Sequence, residues 1–177
     1  MEIEDLSHLI KNHGKEIYGF CYKLTKDKHH ADDLYQDTFL KATELCRRID
    51  TTQNPKSFLI AISIRIWKNQ RRKYGWRNKI AKIETFQDGI VNNTEMADVS
   101  TPEYVVLNNE CNKMVEMACE KLNDKLKIPL YLYYNVCMPV EDISEVLKIP
   151  KGTVKSRLHK GRKTVKEFLE VNGYEGF

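Results

Sequence analysis

The stretch Pro139–Leu169, PVEDISEVLKIPKGTVKSRLHKGRKTVKEFL, holds two short amphipathic segments either side of a turn, and it decides the fold. Apolar residues recur at Ile143, Leu147, Ile149, Val154 and Leu158, with Ser144 as the small residue where two helices would cross. That spacing predicts a helix-turn-helix, in which a first helix braces a second whose outer face can enter the DNA major groove. Pro150-Lys151-Gly152-Thr153 suits the start of the second helix, because proline is tolerated in a first turn whose amides lack partners, and threonine can help cap it. With Val154 and Leu158 inward, Lys155, Ser156, His159 and Lys160 are expected to face out. No Asp or Glu lies between Glu145 and Glu167, so that outer face offers nearly unbroken positive charge to a polyanion. A solvated basic helix closing a small bundle is the plainer alternative. The coincidence of buried spacing, turn and one-sided charge favours DNA.

A chain of 177 residues holds one ordinary domain or two small ones. Its apolar fraction of 41% supplies cores, and 31% charged residues is high without marking disorder. The net charge of +4 is modest, so its placement matters more. Acid-free basic runs cover Thr51–Ile83 and Val146–Lys166, while acids gather in the first fifty residues and between Glu84 and Glu120. The five cysteines (Cys21, Cys46, Cys111, Cys119 and Cys137) are scattered and form no CxxC pair, which predicts buried free thiols in a reducing compartment rather than zinc or disulfides. The acidic start MEIEDLSHLI is unlike a signal peptide, and no apolar run approaches membrane-spanning length; a soluble cytoplasmic protein is expected.

From the N-terminus, Leu6, Leu9 and Ile10 mark a short helix with Asn12-His13-Gly14 as its stop. A second helix turns Ile17, Phe20, Cys21 and Leu24 inward. Asp27 is the expected cap of a third, which runs to about Cys46 and buries Ala31, Leu34, Tyr35, Thr38, Ala42 and Leu45. Its opposite stripe, Asp33, Gln36, Asp37 and Leu40 with Asp32 beside it, is acidic and carries an outward leucine; it suits either solvent or a basic protein surface. A polar loop, 47–56, leads into Phe58–Trp67, where isoleucines alternate as in a strand. No second alternating run exists to pair with it, so a helix is predicted, continuing through Lys73 and becoming basic, with Tyr74 and Trp76 nearby. Arg and Lys beside exposed rings suit unpaired bases, whereas the structural alternative puts Trp67 and Trp76 in a core.

Residues 84–100 are acidic and aperiodic, which predicts a flexible linker. Ser100-Thr-Pro-Glu103 restarts a helix carrying Val105, Val106, Cys111, Met114, Val115, Ala118 and Leu122. Leu126–Met138 is expected to be a further helix with Pro129 in its first turn. The predicted fold is all-α: a helical domain over 1–83, a linker over 84–100, and a second domain over 101–177 ending in the helix-turn-helix.

This order resembles the extracytoplasmic-function sigma factors, which keep only the second and fourth conserved sigma regions. The likeness covers almost the whole chain. It is carried by KLTKDKHHADDLYQDTFLKA, NPKSFLIAISIRIWKNQRR and, most specifically, GTVKSRLHKGRKTVKEFLE. The resemblance implies that Asp32, Asp33, Gln36, Asp37 and Leu40 meet the clamp helices of the largest subunit of core RNA polymerase, with a further contact at its flap. It implies that Thr51, Gln53 and Asn54 in the loop, and Arg65, Lys68, Asn69 and Arg72 on the following helix, recognise and open the minus-ten element. It assigns the minus-35 element to Lys151, Thr153, Lys155, Ser156, Arg157, His159 and Lys160. The chain departs from the common pattern in carrying Arg65 for Asn, Phe58 for Trp, and Lys148 for the Gly before the turn. A monomer when free, held by a membrane-bound anti-sigma protein, is also implied.

No nucleophile–base pair, metal-ligand cluster or phosphate loop is present in the sequence, and GTVKS lacks the order of a Walker motif. The expected mechanism is therefore binding without catalysis, cofactor or metal. The function expected is a sigma factor that directs polymerase to promoters and helps melt them. The alternative is an ordinary DNA-binding regulator that uses only the C-terminal motif.

Overall fold

A computed structural model describes residues 3–45, 54–81 and 102–174, with side chains described for 9–45, 54–76 and 111–174. Every element among the described residues is a helix, and the chain divides into two compact units. The expected linker lies outside the described residues.

The first unit packs three helices on one another: α1 (Ile3–Thr25), α2 (Lys28–Leu45) and α3 (Pro55–Ala81). The stop expected at Gly14 is not there, and α1 runs straight through it. The reason is packing: the buried stripe of this helix begins at Gly14 itself and runs on through Ile17, Phe20, Cys21 and Leu24. A Cβ on Gly14 would lie 2.9 Å from the Tyr35 hydroxyl, so the residue is small because α2 comes close, not because a helix ends. The real end comes at Thr25, after which Lys26 takes φ 58° and the Asp27 carboxylate accepts the His30 amide at 2.8 Å, capping α2. That bond lowers the Asp27 pKa from its ordinary value.

On α2 the buried residues are Ala31, Leu34, Thr38, Phe39 and Ala42, while Tyr35 and Leu45 are only half-buried. Phe39 replaces Leu45 in the expected set; its ring packs edge-on to Tyr35 at 4.8 Å, and Tyr35 in turn meets Tyr18 of α1 at 5.6 Å. The buried Thr38 and Ser63 hydroxyls donate to the carbonyls of Leu34 (2.7 Å) and Ile60 (2.8 Å), so neither is left unsatisfied.

The isoleucine run is helical. Leu59, Ile60, Ser63, Ile64 and Trp67 are buried at helical spacing, Ile62 is buried as well, Ile66 is half-buried and Arg65 is exposed. Burying such side chains contributes about 1.5 to 3 kcal/mol each, which outweighs the roughly 0.7 kcal/mol that a β-branched residue costs a helix. Asn54 starts the helix, its side-chain oxygen accepting the Lys56 amide at 3.1 Å. Lys56 also pairs with Glu16, a bond that lowers the Glu16 pKa and ties the start of α3 to α1.

The second unit contains α4 (Pro102–Lys121), α5 (Asp124–Tyr134), α6 (Val140–Leu147) and α7 (Lys151–Val171). Its core holds Ala118, Leu122, Leu126, Leu132, Ile143, Val154 and Leu158. Asn123 caps α5 by accepting the Leu126 amide at 3.2 Å, so the helix starts two residues before Leu126 and Pro129 stands in its second turn. It also ends at Tyr134 rather than Met138. Asn135 and Val136 both return their amides to the Tyr131 carbonyl, Cys137 turns left-handed at φ 54°, and Pro139 requires extended backbone before the next helix. Of the cysteines described, only Cys21 is buried; Cys111 and Cys119 are half-buried and Cys137 is exposed, while Cys46 lies outside the described residues. Burial pushes the Cys21 thiol up to about 12.

Candidate nucleic-acid interface

The turn between α6 and α7 forms although Lys148 stands where glycine is easiest. Lys148 adopts φ 53° and ψ 49°, and its amide is shared between the carbonyls of Glu145 and Ser144. The Ser144 hydroxyl donates to the Ile149 carbonyl at 2.6 Å, and the Ile149 amide returns to Ser144 at 3.1 Å. Ser144 is thus more than a small residue at a crossing: it holds the turn shut. The helix then starts after Pro150, with no side-chain cap. The capping expected of Thr153 is absent; its carbonyl instead accepts the Ser156 hydroxyl at 3.0 Å.

With Val154 and Leu158 buried beside Ile143, the solvent face of α7 presents Lys151, Lys155, Ser156, His159 and Lys160, all exposed, with Thr153 and Arg157 half-buried at its margins. Further along, Lys163 meets Glu167 and Lys166 meets Glu170, both at 3.8 Å, so the charge of these two lysines is offset within the helix itself. Gly161, which the sequence did not single out, fixes the depth of the helix. A Cβ there would sit 2.8 Å from Leu130 Cδ1 and 3.2 Å from its Cγ, so α7 lies directly on α5. The signal available was a lone small residue in a run of long basic ones.

The first unit carries two further surfaces. On α3, Arg65, Lys68, Asn69 and Arg72 are all exposed at spacings of three and four residues, which puts them on one face over roughly 10 Å. Arg72 donates to the Asn69 amide oxygen at 2.6 Å. Trp76, 69% exposed, continues this face four residues beyond Arg72, and Tyr74 is exposed beside it. Trp67 belongs to the core instead, with the Arg71 guanidinium 4.8 Å over its ring. Of the loop residues, Asn54 is exposed and serves as the cap described above; Thr51 and Gln53 lie outside the described residues.

On α2, Asp33, Gln36, Asp37 and Leu40 share one solvent face, with Leu40 64% exposed. Asp32 stands apart: it is half-buried and accepts the Tyr18 hydroxyl at 2.8 Å, a bond that raises the Tyr18 pKa. One bond ties the acidic face to α3: Gln70 Nε2 donates to the Asp37 carboxylate at 3.3 Å. Among the described residues no cluster of His, Cys, Asp and Glu could hold a metal ion, and no helix is long and apolar enough to cross a membrane.

Comparison with known proteins gives the family. The family described as Sigma-70 region 2 matches residues 9–77, which take in all of α2 and most of α1 and α3. The family described as Sigma-70, region 4 matches residues 112–165, which take in the helix-turn-helix. Among curated proteins, the ECF RNA polymerase sigma factor SigW of Bacillus subtilis is 28% identical over 162 residues, covering 87% of this chain and 83% of that protein. Two solved structures share the fold. One is the sigma factor RpoE of Bartonella quintana in complex with the anti-sigma factor NepR (TM-score 0.74, 20% identity, 95% of this chain and 98% of that one). The other is CnrH in complex with the cytosolic domain of CnrY (TM-score 0.69, 16% identity, 97% and 92%). With both sigma regions matched in order and a relative aligned along most of its length, the chain belongs to the extracytoplasmic-function (ECF) sigma factors.

Proposed function

We propose that the chain is an alternative sigma factor that binds core RNA polymerase, directs it to particular promoters and helps open them, acting by binding and not by catalysis. One observation carries the reading: two separate helical units each present an outward basic face, on α3 and on α7, and the unit bearing α3 adds an acidic face with an exposed leucine. A regulator that only docks on duplex DNA has use for the α7 face alone.

In this reading Asp33, Gln36, Asp37 and Leu40 dock on the polymerase clamp helices, where complementary charge aids encounter and the apolar side chain adds buried area. Asp32 acts from behind, as part of the bond network between α1 and α2. Arg65, Lys68, Asn69 and Arg72, with Thr51, Gln53 and Asn54, hold the minus-ten element as it opens. Lys155, Ser156, His159 and Lys160 meet bases or adjacent phosphates of the minus-35 element, with Lys151, Thr153 and Arg157 at its backbone. The division into domains at 83 and 101 follows the same scheme. An anti-sigma protein is the natural inhibitor, and its attachment to a membrane rests on the family resemblance alone.

The α2 surface is tested by Asp37→Lys combined with Leu40→Ala. Both side chains are exposed, so the thermal midpoint should change little. Binding to core polymerase, followed by fluorescence anisotropy of labelled chain, should weaken by at least about tenfold. A midpoint that falls sharply while polymerase affinity stays put would make the stripe structural and remove it from the interface.

A further inference from the structure

The basic run Val146–Lys166 contains no acid, yet the fold carries one to its start. Glu141 stands in the first turn of α6, ten residues ahead of Lys151 in sequence, and its Oε1 lies 3.3 Å from Lys151 Nζ, at the first position of α7. Both side chains are exposed, so this ion pair is part of the surface that the duplex would meet. Lys155, one turn further along α7, also acts on the Glu141 carboxylate. The carboxylate's own backbone amide first, then Lys151 and Lys155, hold its pKa below the usual carboxylate range.

We propose that Glu141 is an internal phosphate surrogate: it occupies Lys151 in the free chain and so limits how tightly the chain binds DNA without regard to sequence. This inference rests on the DNA-binding reading of α7. A phosphate that approaches Lys151 must first displace the carboxylate. Sequence-independent binding draws almost wholly on phosphate contacts, so it loses one full contact. Base contacts from Lys155, Ser156, His159 and Lys160 do not depend on Lys151 being free. The consequence is one of partition: a chain that bulk duplex holds weakly stays available to its protein partner.

The pair is weak as a structural bond, which separates this role from a scaffolding one. Exposed ion pairs contribute little to stability, and α6 is anchored by Ile143 and by the Ser144–Ile149 turn. Glu141→Gln should therefore leave the fold intact while releasing Lys151.

The test uses the full chain and a duplex of random sequence, with affinity measured against salt concentration. Glu141→Gln should bind on the order of three- to tenfold more tightly at low salt, with the log–log salt slope steeper by about 0.9, the signature of one added phosphate contact. Glu167→Gln makes the same change in net charge at the far end of α7 and should give a clearly smaller gain. Adding Lys151→Ala to Glu141→Gln should remove the gain, because the effect passes through that lysine. If wild-type chain binds and Glu141→Gln is no tighter than Glu167→Gln, or if the gain survives Lys151→Ala, the surrogate role is overturned while DNA binding stands. If neither wild type nor Glu141→Gln binds duplex at low salt, the DNA-binding reading of α7 fails, and this inference with it.

Discussion

Lys155→Ala or His159→Ala should cost roughly 1 to 3 kcal/mol in recognition of the upstream promoter element where a base contact is lost, and less where only a phosphate is released. Arg65→Ala or Asn69→Ala should leave that recognition unchanged and impair strand opening instead. The two sets of side chains are exposed on different helices, in different compact units, and none of them belongs to a core. Loss of function in these variants therefore should not come from unfolding. Protection of the upstream duplex reports docking, and permanganate reactivity of unpaired thymines reports opening. A promoter premelted as a mismatched bubble should restore part of the Arg65→Ala defect and leave the Lys155→Ala defect in place. Equal loss of upstream protection in both variants, with no rescue by the bubble, would show that the two basic faces do not divide the work.

The largest expected effect on stability is in α3. Ile60 is fully buried, and Ile60→Ala should destabilise the first unit by about 2 to 5 kcal/mol, the transfer term plus the cavity left behind. Ile66→Ala should cost about 1 kcal/mol, since that side chain is only half-buried. Both tryptophans, Trp67 and Trp76, lie on α3, so tryptophan fluorescence during urea unfolding follows this unit selectively. The comparison is sharp because the two geometries disagree. In a strand, Ile60 and Ile66 would share a face and lose similar amounts; in the helix they do not. Equal losses would contradict the helical assignment.

That same stretch shows where the sequence speaks ambiguously. Alternation of Ile60, Ile62, Ile64 and Ile66 is a local strand signal, and only the absence of a pairing partner elsewhere in the chain overrules it. The helix-turn-helix was legible because three independent features coincide: inward spacing at Ile143, Val154 and Leu158, a proline at the turn, and acid-free charge on the outside. The left-handed Lys148 was not, since nothing in a lysine announces φ 53°. Gly14 misled for a related reason. A glycine signals either a helix end or a close approach, and the choice depends on Tyr35, distant in sequence. Phe39 could have been found, because it lies three residues from Ala42 and four from Tyr35 on α2. Among the site residues, spacing sufficed for those on helix faces: Asp33, Asp37, Arg65, Asn69, Lys155 and His159 are all exposed. It did not reveal that Asp32 serves Tyr18, nor that Glu141 reaches Lys151, because both contacts join separate helices.

What most needs testing directly is that this chain confers promoter specificity on core RNA polymerase. The most direct measurement is transcription in vitro from a fragmented genomic library by core RNA polymerase, with and without the full chain, reading the start sites of the RNA. Transcripts that depend on the chain should begin at a small set of sites sharing two upstream elements, and should disappear with Lys155→Ala. Start sites that are identical with and without the chain, together with tight sequence-specific binding of the free chain to duplex DNA, would contradict it and make the protein a regulator that acts without joining polymerase.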